Sequence, residues 1–407
     1  MGYFSEGAKG VTWVGVFRVT TRGISFVRTI ILARVLSPVQ FGIFGIASLT
    51  ITFLEILTET GINVVLVQQK EGIGKYLNTA WVVSILRGVA ITVILVVSAP
   101  LVASYFNSPE SKNLIYLIGF VSLIRGFINP SIVRYQKELR FKSEFLFRFS
   151  VFAFDSIVAI VAAFITKSAV GIVFGLVAGA ILELILSFTV VKPRPKVEFN
   201  LGRLKEILSQ GKWVTGAGIF QFLFKQGDDG VVGKILGESS LGTYQVAYKI
   251  CSLPISEVAD VFGRVTFPLY VKISEDKRRL KKAFLRTTGV ISLLVLPMGA
   301  FIFLFGEQIV RLLLGEAWLS VVPLVKVLSV FGVVQSVSNS VNSFFLATKR
   351  QHIITMVTFV NIAGLLVSIF PLIHYRGLTG AAYAPLIGSL LGVPLVAWSV
   401  VRILKND

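Results

Sequence analysis

Three arginines in the first predicted helix have the spacing of an anion-binding surface. Arg18 and Arg22 are four residues apart and share one helical face, and Arg28 flanks that face further along. A guanidinium group binds phosphate oxygens in pairs, so such a ladder could pass a phosphate group along a cavity wall. The alternative is that Arg18 reaches the aqueous interface and the other two arginines pair with acids such as Glu55.

Two further arginines, Arg87 and Arg125, lie in the third and fourth predicted helices. They could extend the same basic surface for a diphosphate or another anion. Equally, Asp155 and Glu183 are predicted at a similar depth and could neutralise them. The sequence leaves both interpretations open.

A second charged group lies in the seventh predicted helix. Lys225, Asp228 and Asp229 share a face with Gln221. Two adjacent carboxylates inside a membrane helix are typical of a cation or proton site, whereas a lysine one turn away could simply pair with Asp229. This group is therefore predicted to serve either ion coupling or a charge pair.

The tenth predicted helix carries an uncharged polar stripe. Its amides, Gln335, Asn339 and Asn342, are interspersed with serines. Amides and hydroxyls could contact sugars, but they also commonly join membrane helices by hydrogen bonds.

Residues for catalysis or for a cofactor are few. Cys251 is the single cysteine, His352 and His374 are the two histidines, and no G-x-x-x-x-G-K-[ST] phosphate loop is present. We therefore expect no catalytic residues, no metal, no cofactor and no enzyme activity.

The elements that must position these side chains are membrane helices. The 407 residues are 54% hydrophobic and 15% charged, with a mean hydropathy of +0.80. Soluble domains contain more charged and fewer apolar residues. Apolar windows of about 20 residues recur throughout. They predict about twelve transmembrane helices, at 11–35, 42–66, 79–105, 114–133, 149–167, 169–191, 211–236, 242–268, 287–308, 319–347, 352–373 and 379–402.

The net charge of +19 is explained by membrane topology rather than by nucleic-acid binding. Lysines and arginines concentrate in alternate loops, and basic loops stay in the cytoplasm. The pattern predicts a multi-pass protein of the cytoplasmic (inner) membrane with both termini inside.

The chain also repeats itself at an offset of 200 residues. Trp13 matches Trp213, and Phe41-Gly42-Ile43-Phe44 matches Leu241-Gly242-Thr243-Tyr244. Two parallel six-helix repeats place a substrate site between the halves. We predict an N-terminal lobe at 1–191, a cytoplasmic linker with an amphipathic helix at 192–210, and a C-terminal lobe at 211–407.

Three stretches resemble the polysaccharide-transporter branch of the multidrug/oligosaccharidyl-lipid/polysaccharide flippase superfamily, which includes O-antigen and teichuronic-acid flippases. They are RTIILARVLSPVQFGIF (28–44), QKELRF (136–141) and DDGVVGKILGESSLGTYQVA (228–247). The resemblance implies an all-α, V-shaped, two-lobed transporter that alternates between inward and outward openings. The implied cargo is a polyprenyl-diphosphate-linked oligosaccharide of the cell envelope.

The predicted function is therefore a flippase for a lipid-linked oligosaccharide in polysaccharide biosynthesis. The alternative is a cation-coupled multidrug exporter of the same superfamily, and a more remote one is a membrane glycan polymerase or ligase. The expected partners are the substrate and the bilayer. A monomer suffices, and contacts with other polysaccharide assembly proteins are left open.

Overall fold

The computed structural model describes residues 2–63, 66 and 74–406, apart from side chains at several helical positions that include Arg18, Gln221 and Arg264. All regular structure in these ranges is helical. The first compact unit, Met1–Gly242, contains α1 to α7 and the first part of α8; the second unit is Thr243–Asp407. The helices are α1 (Gly2–Val35), α2 (Pro38–Leu57), α3 (Gly74–Tyr105), α4 (Pro109–Gly126), α5 (Val133–Lys137), α6 (Phe141–Thr166), α7 (Val170–Thr189), α8 (Leu201–Lys272), α9 (Lys277–Leu304), α10 (Gly306–Leu313), α11 (Val322–Ser340), α12 (Asn342–Ala347) and α13 (Gln351–Asn406).

Two of these helices are broken by a single glycine. Gly237 interrupts α8 with φ 81°, and Gly377 interrupts α13 with φ 57°. Both angles fall in the left-handed region, which glycine enters without the steric cost that a Cβ imposes. Each long helix therefore has two arms, 201–236 and 238–272 in α8, and 351–376 and 378–406 in α13.

Seven helical segments of the described chain are long and apolar enough to cross a bilayer, or eight if the bent pair Pro109–Gly126 and Pro130–Lys137 forms one span. Large apolar side chains such as Val97, Leu101 and Ile165 are exposed, as expected of a surface that faces lipid. Helix α1 and both arms of α8 are outside the group because they contain more polar residues. The number of twelve spans therefore stays a prediction.

Several helix limits differ from those predicted. The predicted helix 114–133 ends at Gly126, because Asn129 and Pro130 begin a separate short turn that is bent by 71°. The predicted helix 319–347 is divided at Val341. The amphipathic stretch after the linker is continuous with α8 from Leu201, since no break separates it from the membrane helix. Most helices also begin before their apolar windows, because polar turns extend them past the hydrocarbon layer.

Glycines bring the helices of the first unit close together. A Cβ on Gly88 of α3 would lie 3.0 Å from the Gly126 Cα of α4, and a Cβ on Gly126 would lie 3.2 Å from the Gly88 Cα. Gly171, Gly175 and Gly179 of α7 pack in the same way against the backbone and side chains of α6. Small residues at such crossings let membrane helices gain van der Waals contact along their backbones.

The second unit is held by an aromatic cluster and by serine hydrogen bonds. Tyr270, Phe284 and Phe344 are buried together with Leu280, Phe345 and Ile403. Ser336 of α11 donates to the Ile255 carbonyl at 3.1 Å, and Ser343 of α12 donates to the Gly263 carbonyl at 2.9 Å. These bonds tie α11 and α12 to the second arm of α8.

Candidate functional site

Arg87 and Arg125 converge on one cavity in the first unit. Each arginine directly precedes a member of the glycine pair, Gly88 on α3 and Gly126 on α4. Because the two helices touch at the glycines, both guanidinium groups face the same space beside α2. The cavity has a volume of about 350 Å³ and is lined by Glu55, Ile56, Glu59, Ser84, Arg87, Gly88, Ile91, Ser122, Arg125 and Gly126.

Arg87 is fixed by acceptors from the end of α2. Its Nη2 donates to the Glu55 carbonyl at 2.5 Å and to Glu59 Oε2 at 3.4 Å, and its Nε donates to Thr58 Oγ1 at 3.2 Å. A cation at a helix C-terminus also interacts favourably with the helix dipole. Arg87 therefore joins α3 to the C-terminal end of α2 as well as lining the cavity.

Arg125 is held more loosely than Arg87. Its Nη1 lies 3.7 Å from Glu55 Oε1, which is within ion-pair distance but beyond that of a good hydrogen bond. Its side chain is 45% exposed, whereas that of Arg87 is 26% exposed. Arg125 is thus the cation that an incoming anion can reach with the least disruption.

A second cavity adjoins the first and shares Glu59, Ser84, Arg87 and Arg125 with it. Its volume is about 260 Å³, and it adds Arg148, Glu183 and the buried Asn129. The combined space is polar and contains charges of both signs. An anion entering it would compete with Glu55 and Glu59 for the guanidinium groups.

Arg28 lies in different surroundings. Its Nη1 donates to Asp155 Oδ2 at 3.0 Å, and both side chains are almost fully buried, at 12% and 11% exposure. The salt bridge of Asp155 is therefore with Arg28, and a weaker electrostatic attraction to Arg125 accompanies it. Arg28 also borders an apolar groove of about 470 Å³ between α1 and α6, so it does not line the charged cavity. Arg22 is exposed on α1, and the side chain of Arg18 lies outside the described residues.

The charged group predicted on the seventh helix lies on the first arm of α8. Lys225 is exposed, Asp228 is buried and Asp229 is partly buried, with the Asp229 amide 3.0 Å from Asp228 Oδ1. Ion coupling at this group stays a prediction.

The polar stripe divides into two parts. Its serines at 336 and 343 bond to backbone carbonyls, as expected of residues that join helices. Gln335, Asn339 and Asn342 stay at least partly exposed, and Asn342 Nδ2 lies 3.4 Å from Asn339 Oδ1. Sugar contact by these amides stays a prediction.

Metal ligands do not cluster in the described part of the chain, where no three His, Cys, Asp or Glu residues are grouped to hold an ion. Cys251 is buried, and its thiol donates to the Ala247 carbonyl. The side chains that line the charged cavity carry acid, guanidinium, hydroxyl and amide groups, which suit binding of a charged, polar ligand.

Glu55, Glu59 and Asn129 were not among the predicted site residues, although Glu55 was considered as an ion-pair partner for Arg22 and Arg28. All three contribute to the charged cavity or its borders. The Arg-Gly dipeptides at 87–88 and 125–126 could have indicated this site from the sequence, because a glycine beside an arginine in a membrane helix can place the cation at a close helix crossing. Asn129-Pro130 inside a predicted helix was another indication, since it marks a helix break.

Residues 31–323, more than half of the chain, match the family described as "Polysaccharide biosynthesis protein". The chain belongs to this family. Among curated relatives, the lipopolysaccharide biosynthesis protein WzxC of Escherichia coli K12 is 26% identical over 346 residues, which cover 84% of this chain and 70% of WzxC. The teichuronic acid biosynthesis protein TuaB of Bacillus subtilis 168 is 23% identical, over 97% of this chain and 82% of TuaB.

Solved structures show the same fold at lower identity. The lipid II flippase MurJ in an inward closed conformation has a TM-score of 0.77 at 15% identity, covering 95% of this chain and 87% of MurJ. An inward-facing multidrug resistance MATE transporter has a TM-score of 0.71 at 18% identity, covering 94% of this chain and 95% of that one. The family match and the shared fold agree with the predicted resemblance: this polysaccharide biosynthesis protein is a multi-pass helical membrane protein with the fold of the MurJ and MATE transporters.

Proposed function

We propose that the protein translocates a polyprenyl-diphosphate-linked oligosaccharide across the cytoplasmic membrane by alternating access. The observation that carries the proposal is the cavity in which Arg87 and Arg125 meet. Arginine binds phosphate oxygens through a planar fork, and a charged cavity between membrane helices marks a pathway for a polar group. The family match favours a polysaccharide precursor as the molecule that carries this polar group.

The loose contact between Arg125 and Glu55 supports this assignment. A transport site must release its cargo, so its cations need partners that take over when the cargo leaves. Glu55 and Glu59 can fill this role, because each lies within ion-pair distance of one arginine. The diphosphate would displace the glutamates on entry, and the glutamates would compete with it on exit.

The two-repeat architecture proposed for transport has support in the backbone. Leu139 has φ 54° and Lys349, 210 positions later, has φ 58°; Lys167 has φ 50° and Gly377, again 210 positions later, has φ 57°. Left-handed residues at matching points end matching helices in the two halves. The offset grows from 200 to 210 after the segment Gly306–Val321, which is longer than the turn at Asn107.

A cation-coupled multidrug exporter is the second candidate. The observation in its favour is that the cavity contains as many carboxylates as guanidinium groups among its lining residues, together with the likeness to the MATE fold. Such an exporter would bind cationic drugs on Glu55 and Glu59. In that case substitution of the glutamates, rather than of Arg125, should abolish transport.

The test is flipping of a fluorescent polyprenyl-diphosphate oligosaccharide in proteoliposomes. We expect transport by the wild-type protein and a loss of at least about tenfold in Arg125→Gln, which keeps a polar but shorter side chain and removes its charge. Arg311→Gln is the matched control, because Arg311 is an exposed arginine paired with Glu307 and Glu316 outside the cavity. A tenfold change corresponds to about 1.4 kcal/mol, close to the lower end of the range for a hydrogen bond to a charged group.

Two results would overturn the proposal. One is full activity in both Arg125→Gln and Arg87→Gln. The other is absence of flipping by the wild type, with and without Na⁺ or proton gradients, together with ethidium efflux that depends on Glu55 and Glu59.

A further inference from the structure

The N-terminal end of α9 is a strongly basic surface on which, among the described residues, a single arginine has an acidic partner. Arg278, Arg279, Lys281, Lys282 and Arg286 are all exposed within nine positions. Asp276 caps the helix by accepting from the Arg279 amide at 3.0 Å and pairs with the Arg279 guanidinium at 3.2 Å. In the described chain, no carboxylate lies within 4.0 Å of the basic groups of Arg278, Lys281, Lys282 or Arg286.

Several arginines in the basic loops of the first unit, by contrast, have acidic partners. Arg140 and Arg134 both pair with Glu138, at 3.0 and 2.5 Å, and Arg203 pairs with Glu198 at 3.8 Å. Loop topology alone explains basic residues in both units. It does not explain why four of the five basic residues named on α9 lack an internal counterion in the described chain, at a helix N-terminus where the dipole already carries positive charge.

The position of this surface relative to the bilayer can be read from its neighbours. Leu280 and Phe284 of α9 are buried in the aromatic cluster, so the basic side chains stand on a rigid helix face. Leu285 and Leu293, which follow along α9, are exposed apolar residues, as in a segment that enters lipid.

The C-terminal end of α13 also indicates where the basic surface lies relative to the bilayer. Ile403 packs in the aromatic cluster, and the exposed Arg402 lies over the exposed Trp398 ring at 5.1 Å. Tryptophan and arginine are characteristic of the interface between headgroups and hydrocarbon. The basic face of α9 therefore lies at the height of the lipid headgroups.

We propose that the start of α9, residues 278–286, is a binding surface for anionic phospholipid headgroups. The phosphates supply the counterions that the chain does not, and each lysine or arginine near an anionic lipid surface contributes about a fivefold gain in affinity. A lipid is favoured over an acidic protein because the basic face continues directly into exposed apolar residues, which suit acyl chains.

The experiment measures lipid binding, independently of transport. The full chain is purified in a neutral detergent, stripped of lipid, and titrated with phosphatidylglycerol or with phosphatidylcholine, and bound lipid is counted by native mass spectrometry. We expect preference for phosphatidylglycerol, weakened by salt through screening of the charges. Arg278→Gln/Arg286→Gln should bind it roughly 20- to 30-fold more weakly. Arg140→Gln/Arg203→Gln, which removes the same charge from paired arginines, should bind it as wild type does.

Three results would overturn the inference. They are equal affinity of the wild type for both lipids, unchanged binding in the α9 double variant, and equal loss in both double variants. If the α9 variant does not fold, the salt titration of the wild type decides, because binding through acyl chains alone would not weaken as salt is raised.

Discussion

The Arg28 guanidinium donates to the Asp155 carboxylate at 3.0 Å and so joins α1 to α6 in the interior of the first unit. The second carboxylate oxygen, Oδ1, is buried without a hydrogen-bond partner. Asp155 thus depends mainly on Arg28 for the stabilisation of its charge, with a smaller contribution from Arg125. This dependence bears on how any Arg28 variant must be interpreted.

The Arg28→Ala substitution should destabilise the fold. Removing one member of a buried pair leaves the other charge uncompensated, at a cost of about 3–5 kcal/mol. We expect a lower midpoint of thermal unfolding in detergent. The double variant Arg28→Ala/Asp155→Ala should recover part of the loss, because no charge is left unpaired. A double variant less stable than both single variants would contradict this account.

Arg87 should contribute mainly to the stability of the fold, and Arg125 mainly to substrate binding. Arg87→Gln should lower the unfolding midpoint more, because it removes contacts with Glu55, Thr58 and Glu59 at the end of α2. Arg125→Gln should leave the midpoint nearly unchanged and raise the KM for the lipid-linked substrate, since Arg125 has one loose partner. Thermal unfolding and initial transport rates separate the two effects, and the reverse order would refute the assignment.

Gly88→Ala should be disruptive. An added Cβ would lie 2.7 Å from the Ser122 carbonyl oxygen, so α3 and α4 must separate, at about 1–3 kcal/mol. Gly119→Ala on α4 is the control, because its Cβ would meet Leu95 and Thr92 side chains at ordinary distances of 3.7 Å. The unfolding midpoints of both variants check this. Similar stability of the two would show that the crossing relaxes freely.

Asn129→Ala should destabilise the bend after α4. The buried side chain accepts from the Ser131 amide at 2.9 Å and donates to the Ser187 and Pro193 carbonyls at 3.2 and 3.1 Å. Leaving these groups unsatisfied costs about 1–3 kcal/mol. Asn200→Ala is the comparison, since Asn200 accepts from the Arg203 amide at an exposed position. Its cost, measured in the same unfolding assay, should be about 1 kcal/mol or less.

The all-helical membrane fold could be predicted because lipid imposes a strong and simple constraint on composition and length. Helix ends were less predictable. The break at Gly126–Pro130 lies inside an apolar window, and hydropathy does not respond to a cap such as that of Asn129. Likewise, α1 and both arms of α8 were predicted as spans from their apolar windows, whereas their polar and charged side chains leave them outside the segments that are apolar enough to cross a bilayer.

The charge pairs could not be derived from the sequence. Asp155 and Glu183 were considered as one of two open possibilities for neutralising Arg87 and Arg125. The salt bridge of Asp155 is instead with Arg28, while Glu59 and Glu55 pair with the other two arginines. Partner choice depends on the rotation of each helix about its axis. That rotation is set here by glycine crossings, which act through backbone shape and carry no charge signal.

The contact between Gly88 and Gly126 also restricts how this protein can evolve. In most packed interiors, a larger residue on one helix can be accommodated by a smaller one on the facing helix. Here both positions already hold the smallest residue, so neither can compensate for growth of the other. Arg87 and Arg125 adjoin these glycines. The part of the cavity formed at this helix crossing is therefore the part least able to change during evolution. Changes in cargo preference should instead accumulate at lining positions away from the crossing, such as Ile56 at the end of α2.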